Sequence, residues 1–180
     1  MHMKRLMILS TLLVWLALTA AAALIPDMKF RRIDTRDGLS NSQVNCVLKD
    51  SRGYVWIGTP YGLNRYDGYH FKTYYSNIRD TTSMRDNYVE SVFEAYDGKL
   101  WLKQGMNYCI YDPVTERFER NVGKVLSTYG INGSVDHIYI DSRKNLWVKI
   151  HEGSLFIYKP AKRELKELNS QWSESFHNWS

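Results

Sequence analysis

The sequence predicts an all-β fold, an incomplete β-propeller of about three four-stranded blades preceded by an N-terminal signal helix. Three features of the 180-residue chain point to it. A pattern recurs three times at intervals of 45 and 46 residues, each copy contains short strand-like runs joined by turn residues, and one tryptophan holds the same place in every copy. Four short strands per unit of this length are typical of a propeller blade. A helical solenoid fits less well, because no segment between the signal and Ala161 has a 3.6-residue apolar period.

The first 23 residues have the three parts of a secretory signal. Two basic residues precede an apolar run over residues 6–18, and the alanines that end at Ala23 fit an A-x-A cleavage pattern. We interpret residues 1–23 as a signal peptide. An uncleaved anchor is the alternative, since residues 6–25 are just long enough to span a bilayer as a helix. In both cases the basic end stays inside and the rest of the chain is exported.

Two anchors define the repeat. In each unit a valine opens the first strand and a tryptophan follows twelve residues later: Val44 and Trp56, Val89 and Trp101, Val135 and Trp147. This spacing places three propeller blades over residues 44–160, with bounds 44–88, 89–134 and 135–160. The first strands, Val44–Lys49, Val89–Glu94 and Val135–Ile140, are expected to be innermost.

The strands of the first unit follow from alternating runs and turn residues. Four strands are predicted: Val44–Lys49, Tyr54–Thr59, Leu63–Tyr66 and Phe71–Tyr74. Asp67-Gly68 is a strong hairpin signal between the last two. The turn before the second strand needs a positive φ, which Gly53 and Gly98 permit and which Asn145 is expected to supply in the third unit.

The repeated aromatic residues are interpreted as core rather than as ligand-stacking residues. A twisted sheet must bury both faces against its neighbours, so one large flat side chain per blade fills the space between sheets. The residues given this role are Trp56, Trp101 and Trp147, and the tyrosines that close the third strands, Tyr66, Tyr111 and Tyr158, are expected to share it.

The segments on either side of the repeat are expected to be incomplete. Residues 24–43 form a lead-in, within which residues 29–33 resemble an outer fourth strand. Residues 161–180 are expected to be a polar tail or the start of a next unit. Three blades leave sheet edges and apolar faces uncovered, so residues 24–180 expressed alone are expected to aggregate or to form an oligomer.

The composition argues against several kinds of site. The net charge of +5 is scattered, so no basic stripe for nucleic acid is visible. The five histidines show no metal-ligand spacing, no GxSxG motif is present, and the two cysteines form no CxxC pair. The sequence therefore predicts no catalytic residue, no cofactor and no metal. A disulfide between Cys46 and Cys109 is allowed outside the cytoplasm but is not expected.

A ligand is expected to contact the long connections of the blades. Connections from strand four to the next strand one, and from strand two to strand three, share one face of a propeller, and long loops on a rigid scaffold often carry recognition. Sugars bind through aromatic faces combined with amide and charged groups. The residues of these connections with that chemistry are Tyr61, Arg85, Asn87, Asn107 and His151. Contact with solvent, or with other parts of a larger protein, is the alternative role for each.

The segment from Gly38 to Tyr74 closely resembles the two-component regulator propeller repeat. Three motifs carry the resemblance: Gly38-Leu39-Ser40-Asn41 with Val44, Asp50-Ser51-Arg52-Gly53 with Trp56-Ile57-Gly58-Thr59, and Gly62-Leu63 with Arg65-Tyr66-Asp67-Gly68 and Phe71. The second unit departs from the pattern at Lys103-Gln104, and the third at Lys149 and by an extra residue near Ser154. The resemblance extends over roughly Phe30 to Tyr158.

The resemblance implies a sensor. Propellers of this family are periplasmic sensors of Bacteroides-type hybrid two-component systems, which detect glycan-derived oligosaccharides and control polysaccharide-utilisation genes through a phosphorelay. This chain would be the N-terminal, periplasmic fragment of such a sensor histidine kinase from a Gram-negative bacterium. Its partners would be an oligosaccharide and the remaining blades and kinase of an inner-membrane-associated, homodimeric parent. The chain itself would touch the membrane only through its signal or anchor, and it is not expected to be an enzyme.

A different class of protein remains open, a fragment of a secreted propeller enzyme that acts on glycans as a lyase or a glycosidase. Paired carboxylates on one propeller face would favour it. The starts of the inner strands carry Asn41, Asn87 and Asn132 instead, and amides suit hydrogen bonding rather than acid–base chemistry.

Overall fold

Three four-stranded antiparallel sheets form the fold in a computed structural model that describes residues 30–151 and 153–168. Blade one contains β1 (Cys46–Lys49), β2 (Val55–Thr59), β3 (Gly62–Tyr66) and β4 (Phe71–Tyr74). Blade two contains β5 (Ser91–Glu94), β6 (Leu100–Gln104), β7 (Asn107–Asp112) and β8 (Arg117–Glu119). Blade three contains β9 (Val135–Ile140), β10 (Leu146–Ile150), β11 (Leu155–Lys159) and β12 (Glu164–Leu168). Strands neighbour one another in sequence order in every sheet, so the prediction of three four-stranded blades is confirmed.

The blades follow one another through their first strands. β1 contacts β5, and β5 contacts β9, as expected for strands nearest a common axis. All three sheets lie in one unit that begins at Ile33. The strands predicted to be innermost are therefore the ones that meet.

Two apolar cores lie between successive blades. The first combines Trp56 and Leu63 of blade one with Leu100, Leu102 and Tyr111 of blade two. The second joins blades two and three, and its buried residues include Trp101, Ile110, Ile138 and Val148. Each core takes the inward side chains of two sheets, which is how neighbouring sheets remove their apolar faces from water.

The burial of each repeated tryptophan depends on whether another blade packs against it. Trp56 is fully buried and Trp101 is 3% exposed, whereas Trp147 is half-buried. Trp56 lies 5.2 Å from the Tyr111 ring of the next blade. Among the described residues no sheet follows blade three, so Trp147 lacks the cover that the other two receive. The core role predicted for these residues holds best where a following blade exists.

The closing tyrosines differ from the tryptophans, because only the tyrosine of the middle blade is buried. Tyr111 is fully buried in the first core and its hydroxyl lies 2.8 Å from that of Tyr74. Tyr66 is half-buried and stacks on Phe71, and Tyr158 is half-buried and stacks on Tyr129.

A fourth strand in blade three corrects the prediction of a polar tail after residue 160. β12 pairs with β11 along its whole length, so the blade extends to Leu168. Its sequence, Glu-Leu-Lys-Glu-Leu, is rich in charge because an outer strand buries only alternate residues. Leu165 packs against the second core, and the charged residues beside it face outward. Residues 169–180 lie outside the described part of the chain.

A short helix, α1 (Val122–Thr128), lies in the connection between blades two and three, where only a loop was expected. The Asn121 side chain caps its start by accepting a hydrogen bond from the Lys124 amide. Val122 and Leu126 lie one turn apart on the helix and are both buried in the second core. Two apolar positions are too few to be recognised as a period in the sequence.

Residues 38–40 of the lead-in contact blade one, and the described residues of the strand predicted at 29–33 form no strand. Lys29 lies outside the described residues, residues 30–33 have no strand structure, and a 3₁₀ turn follows at Thr35–Asp37. A strand needs a neighbouring strand for its hydrogen bonds, and none of the described strands lies next to this segment. Further on, Leu39 is buried and the Ser40 amide donates to the buried Asn64 side chain over 2.9 Å.

Blades one and three turn from their first to their second strand around an aspartate. In blade one the carboxylate of Asp50 accepts the Arg52 and Tyr54 amides at 3.0 and 2.9 Å and the Trp56 indole N–H at 2.8 Å. Burial alone would raise the pKa of Asp50, but the hydrogen bonds from Trp56 and Arg52 outweigh it and lower that pKa. The carboxylate thus holds the turn and fixes the orientation of the tryptophan ring.

The third blade repeats this turn with one change from expectation. Asp141 accepts the Asn145 amide at 2.9 Å and the Trp147 indole N–H at 3.0 Å. The positive φ, predicted at Asn145, belongs to Lys144, with φ of 62°. Lys144 aligns with Gly53 in the turn, while Asn145 instead uses its side chain to donate to Asp141.

Glu94 joins the turns of the three blades. Its carboxylate is 6% exposed, accepts the Ser51 amide at 2.9 Å and the Ser51 hydroxyl at 2.6 Å, and pairs with Lys144 at 2.7 Å. Burial acts to raise the pKa of Glu94, but the hydrogen bonds from Lys144 and Ser51 lower it overall. A buried carboxylate is acceptable here because each of its oxygens has a partner.

Two further expectations concern the cysteines and the signal peptide. Cys46 and Cys109 are both free thiols, and burial raises the pKa of Cys109 to about 12. The signal peptide, residues 1–23, lies outside the described residues. Within residues 30–151 and 153–168, no helix is both long and apolar enough to cross a membrane.

Substitution of Gly58 tests the packing between blades one and two. A Cβ at Gly58 would lie 2.5 Å from the Cys46 sulfur and 2.8 Å from the Val89 side chain. Gly58→Ala should therefore lower the free energy of unfolding by about 1–3 kcal/mol in urea denaturation. The matched control is Gly123→Ala, where the nearest atom would be 3.7 Å away; it should be neutral or stabilising by up to about 1 kcal/mol. Equal effects of the two substitutions would contradict the close approach at Gly58.

The lowered pKa values of the carboxyl groups at the turns lead to a prediction of how stability depends on pH. A carboxyl whose pKa is lower in the folded than in the unfolded chain stabilises the fold above its unfolded pKa, and that stabilisation is lost as pH falls through the folded value. The ordinary values are 3.8 for Asp50 and Asp141 and 4.5 for Glu94. The free energy of unfolding should thus be steady above about pH 5 and fall below about pH 4.5. Asp50→Asn should flatten this fall, and an unchanged slope in that variant would contradict the assignment.

Candidate ligand site on the loop face

The two ends of the blades differ in what they carry. We call the end with the β2–β3, β6–β7 and β10–β11 hairpins and the connections 75–90 and 120–134 the loop face. The opposite end, with the turns 50–54, 95–99 and 141–145, is the turn face. The Val89 amide donates to the Thr59 carbonyl at 2.9 Å and the His151 amide to the Ser134 carbonyl at 2.8 Å, so the connections and hairpins meet at one end. The prediction that these loops share a face is consistent with both contacts.

The connection between blades one and two is held by one arginine. The guanidinium of Arg120 lies 2.8–3.0 Å from the main-chain oxygens of Asn77, Asp80, Ser83 and Met84. We call residues 77–84 the clamped loop. Met84 at its end is fully buried in the first core. Nη2 contacts three of these oxygens and Nε contacts that of Ser83, so the arrangement uses two nitrogens held in one plane, which a lysine ammonium does not have.

The clamped loop carries its own internal bonds. The Asp80 carboxylate accepts the amide and the hydroxyl of Thr82 at 2.9 and 2.7 Å, and these bonds, with the charge of Arg120, lower the pKa of Asp80. The Phe118 amide donates to the Thr82 carbonyl at 2.8 Å, which ties the loop to β8. The Gln104 amide group reaches the Asp86 carbonyl from the β6–β7 hairpin. The loop is therefore anchored at both ends.

The connection between blades two and three forms the opposite wall. Asn121 caps α1, and Ile131, which follows the helix, is 1% exposed. The equivalent places in the two earlier units hold Leu39 and Met84, both buried. One apolar side chain before each first strand thus fixes the connection to its blade.

An open cavity of about 860 Å³ lies between these two walls. Its size falls within the range of small-molecule sites. The residues with hydrogen-bonding side chains that line it include Thr82, Arg85, Asn107, Tyr108, Asn121 and Ser134.

The predicted contact residues divide into two groups. Arg85 and Asn107 both line this loop-face cavity, although they belong to different connections. The other three do not line it. Tyr61 is 62% exposed at the tip of the β2–β3 hairpin, Asn87 accepts the Ser76 amide at 2.7 Å and so holds the loop, and His151 is exposed beside Ser134.

The polar groups of the loop-face cavity have free bonding capacity. The Arg85 guanidinium makes one hydrogen bond among the described residues, a long one of 3.3 Å to the Arg120 carbonyl. The Tyr108 hydroxyl accepts the Ile138 amide at 3.0 Å, so its own proton can be donated, and burial raises its pKa. These groups can bind hydroxyl or carboxylate oxygens. Among the described residues, no group of three His, Cys, Asp or Glu side chains could hold a metal ion.

Sequence reasoning missed Arg120 and Tyr108. Arg120 acts through main-chain carbonyls, which leave no pattern in the sequence, so no signal could have identified it. Tyr108 could have been found, because it follows Asn107 directly and begins an inward-facing position of β7.

Comparison with known proteins identifies the repeat. Residues 38–61 match the family model described as two component regulator propeller. They run from the buried segment around Leu39, through the turn at Asp50, to Tyr61 at the tip of the β2–β3 hairpin. The chain carries the two-component regulator propeller repeat. Histidine kinase P4 from Formosa agariphila is 44% identical over 55 residues, which are 31% of this chain and 4% of that kinase. The chain thus covers a small part of the length of this curated relative.

Two solved structures match a larger part of this chain. Both are extracellular domains from B. thetaiotaomicron that are assigned to hybrid two component systems, BT3049 and BT4673. For BT3049 the identity is 18%, the TM-score 0.37, and the match covers 77% of this chain and 26% of that domain. For BT4673 the values are 17%, 0.45, 80% and 27%.

Substitution of Arg120 tests the organisation of the loop face. Arg120→Lys keeps the charge but has no second nitrogen for the Ser83 carbonyl while the first contacts Asn77, Asp80 and Met84, so amide hydrogen exchange across residues 77–84 should become about 10-fold faster or more. Arg117→Lys is the matched control, since Arg117 is exposed and lies in β8, three residues before Arg120. Unchanged exchange in Arg120→Lys would show that the loop is ordered by other contacts.

Proposed function

We propose that this chain is the ligand-sensing part of a hybrid two-component sensor histidine kinase and works in the periplasm. In this proposal the chain binds a glycan-derived oligosaccharide and controls polysaccharide-utilisation genes through the kinase of its parent. The regulator propeller repeat and the relative named a histidine kinase support the sensor assignment. The parent would be an inner-membrane-associated homodimer that supplies the remaining blades.

The observation that carries the proposal is the convergence of Arg85 and Asn107 on one cavity. The two residues are 22 positions apart in the sequence, yet both line the space between the connections. The Tyr108 hydroxyl lines the same space. A guanidinium, an amide and a phenol are suited to the hydroxyl-rich surface of a sugar chain, and the width of an open cavity suits an extended ligand.

The clamped loop supports a binding role rather than a purely structural one. Arg120 orders residues 77–84 through main-chain contacts, and this leaves Arg85, one residue further on, exposed. A rigid support for an exposed polar group is what recognition requires.

The alternative of a glycan-cleaving enzyme receives no support at this cavity. The usual mechanism of glycoside hydrolysis uses two carboxyl groups on either side of the bond. Among the described residues that line the loop-face cavity, Glu119 is the single acid, and its carboxylate accepts the Asn121 amide at 2.7 Å.

Titration calorimetry with a panel of oligosaccharides released from complex glycans tests this function. Arg85→Gln and Asn107→Ala should each weaken binding of the best ligand by about 3- to 10-fold, the effect of one lost hydrogen bond. Arg79→Gln is the control, because Arg79 is exposed in the clamped loop and does not line the cavity. Binding that neither substitution weakens would place the ligand elsewhere, and failure of every oligosaccharide to bind would contradict the proposal.

A further inference from the structure

The asparagine before the first strand of blade three differs from its counterparts in the other two units. Asn41 and Asn87, before the first strands of blades one and two, each accept a main-chain amide with the side chain, from Gln43 at 2.6 Å and from Ser76 at 2.7 Å. Asn132 is exposed, and its side chain makes no hydrogen bond with the described part of the chain. The amide group of Asn132 is therefore not held in place.

The residue that follows Asn132 leaves this amide group accessible to the main chain. Gly133 is exposed, has a φ of 122° and carries no side chain. Its own amide N–H has no acceptor among the described residues. Asn132-Gly133 is the single Asn-Gly pair in the sequence. Because neither a hydrogen bond nor a neighbouring Cβ holds it away, the Gly133 nitrogen can approach the Asn132 side chain.

The other asparagines show what prevents this approach elsewhere. Every other described asparagine except Asn107 has its side chain in a hydrogen bond. Asn107 is exposed like Asn132, but it is followed by Tyr108, whose side chain hinders the attack of its amide nitrogen. Asn107 is thus a reference within the same chain that differs from Asn132 in the residue after it.

The Asn-Gly pair lies in a short span between two fixed points. Ile131 is 1% exposed, and its amide donates to the Leu126 carbonyl at 3.1 Å. The Ser134 carbonyl accepts the His151 amide at 2.8 Å. Since two residues separate Ile131 from Ser134, a change in the length of the main chain cannot be spread over a long loop.

We propose that Asn132 is a site of spontaneous deamidation, with water as the co-reactant. The Gly133 amide nitrogen gives up its proton and bonds to Cγ of Asn132, while the bond from Cγ to the side-chain nitrogen breaks and that nitrogen leaves as ammonia. The product is a five-membered succinimide ring. Water then adds to one of the two ring carbonyls and the C–N bond at that carbonyl breaks, which gives aspartate or isoaspartate. No electron is transferred in either step.

The two products change the structure differently. Both replace a neutral amide group with a carboxylate, but in isoaspartate the main chain also runs through the side-chain carbons. One atom is thereby added between Ile131 and Ser134. Isoaspartate should weaken the Ser134–His151 hydrogen bond, whereas aspartate should preserve it. This inference does not depend on the function proposed for the loop-face cavity, because no ligand enters it.

Mass spectrometry of the full chain after incubation at 37 °C tests the modification. The tryptic peptide 125–143 contains Asn132 and no other asparagine or glutamine, so a gain of about one dalton in it reports this residue alone. The gain should be at least about 10-fold faster than the gain located by fragmentation at Asn107 in peptide 104–117. Asn132→Gln should abolish it. Equal rates at Asn132 and Asn107 would overturn the proposal.

A comparison with a synthetic peptide 125–143 tests the part of the argument that rests on the fold. Because the structure holds neither the Asn132 side chain nor the Gly133 amide, folding should give little protection. The rate in the folded chain should lie within about 3-fold of the rate in the peptide. A folded chain that reacts more than about 10-fold slower than the peptide would show that the fold protects Asn132, and the proposal would fail.

Hydrogen exchange at the His151 amide separates the two products. In the fraction that contains isoaspartate this amide should exchange at least about 10-fold faster than in the unmodified chain. Freshly purified Asn132→Asp is the matched control, since it has the same charge with a main chain of normal length, and its His151 amide should exchange at the unmodified rate. An unchanged rate in the isoaspartate form, or an equal acceleration in Asn132→Asp, would contradict the structural effect assigned to the added atom.

Discussion

The hydrogen bond between a turn aspartate and a tryptophan indole fixes the orientation of the repeated tryptophan in blades one and three, and in blade one it sets the packing against the next blade. At Asp50 a single buried carboxylate ends the first strand, closes the turn and fixes the Trp56 ring. The ring then faces the next blade, where Leu100 and Tyr111 pack against it. A sheet of four short strands cannot bury its own faces, so the position of this ring decides how closely the following sheet can approach. Glu94, at the end of β5, joins the turns of blades one and three to blade two through one carboxylate.

The sequence was sufficient to predict the blades because the pattern that defines them is local. Strand alternation, the turn at Asp50 and the recurring tryptophan each involve residues within about a dozen positions, and β4 was predicted with its observed bounds, Phe71–Tyr74. The errors arose where distant contacts decide the structure. α1 exists because two apolar residues meet a core formed by two blades, and β12 exists because β11 offers it an edge. For the candidate site, the sequence indicated the end of the blades on which the cavity lies and two residues of its lining, Arg85 and Asn107. It did not indicate the contacts of Arg120, because these involve main-chain oxygens that every residue possesses.

The departures from the repeat are as informative as the repeat itself. Where blade one has Asp50 and Arg52, blade two has Ala95 and Asp97, and the polarity of the turn is reversed. The backbone is unaffected because its own hydrogen bonds close the turn. A structural motif can in this way lose one member without loss of fold.

The contacts of Arg120 also bear on the thermodynamics of recognition. A surface loop of eight residues would ordinarily lose conformational freedom when a ligand binds, and this loss opposes binding. Here one side chain holds four main-chain oxygens of the loop before any ligand arrives. The entropy cost of ordering therefore falls on folding and not on association. For the ligand proposed above, affinity at the loop face would then be governed by the few groups that meet it.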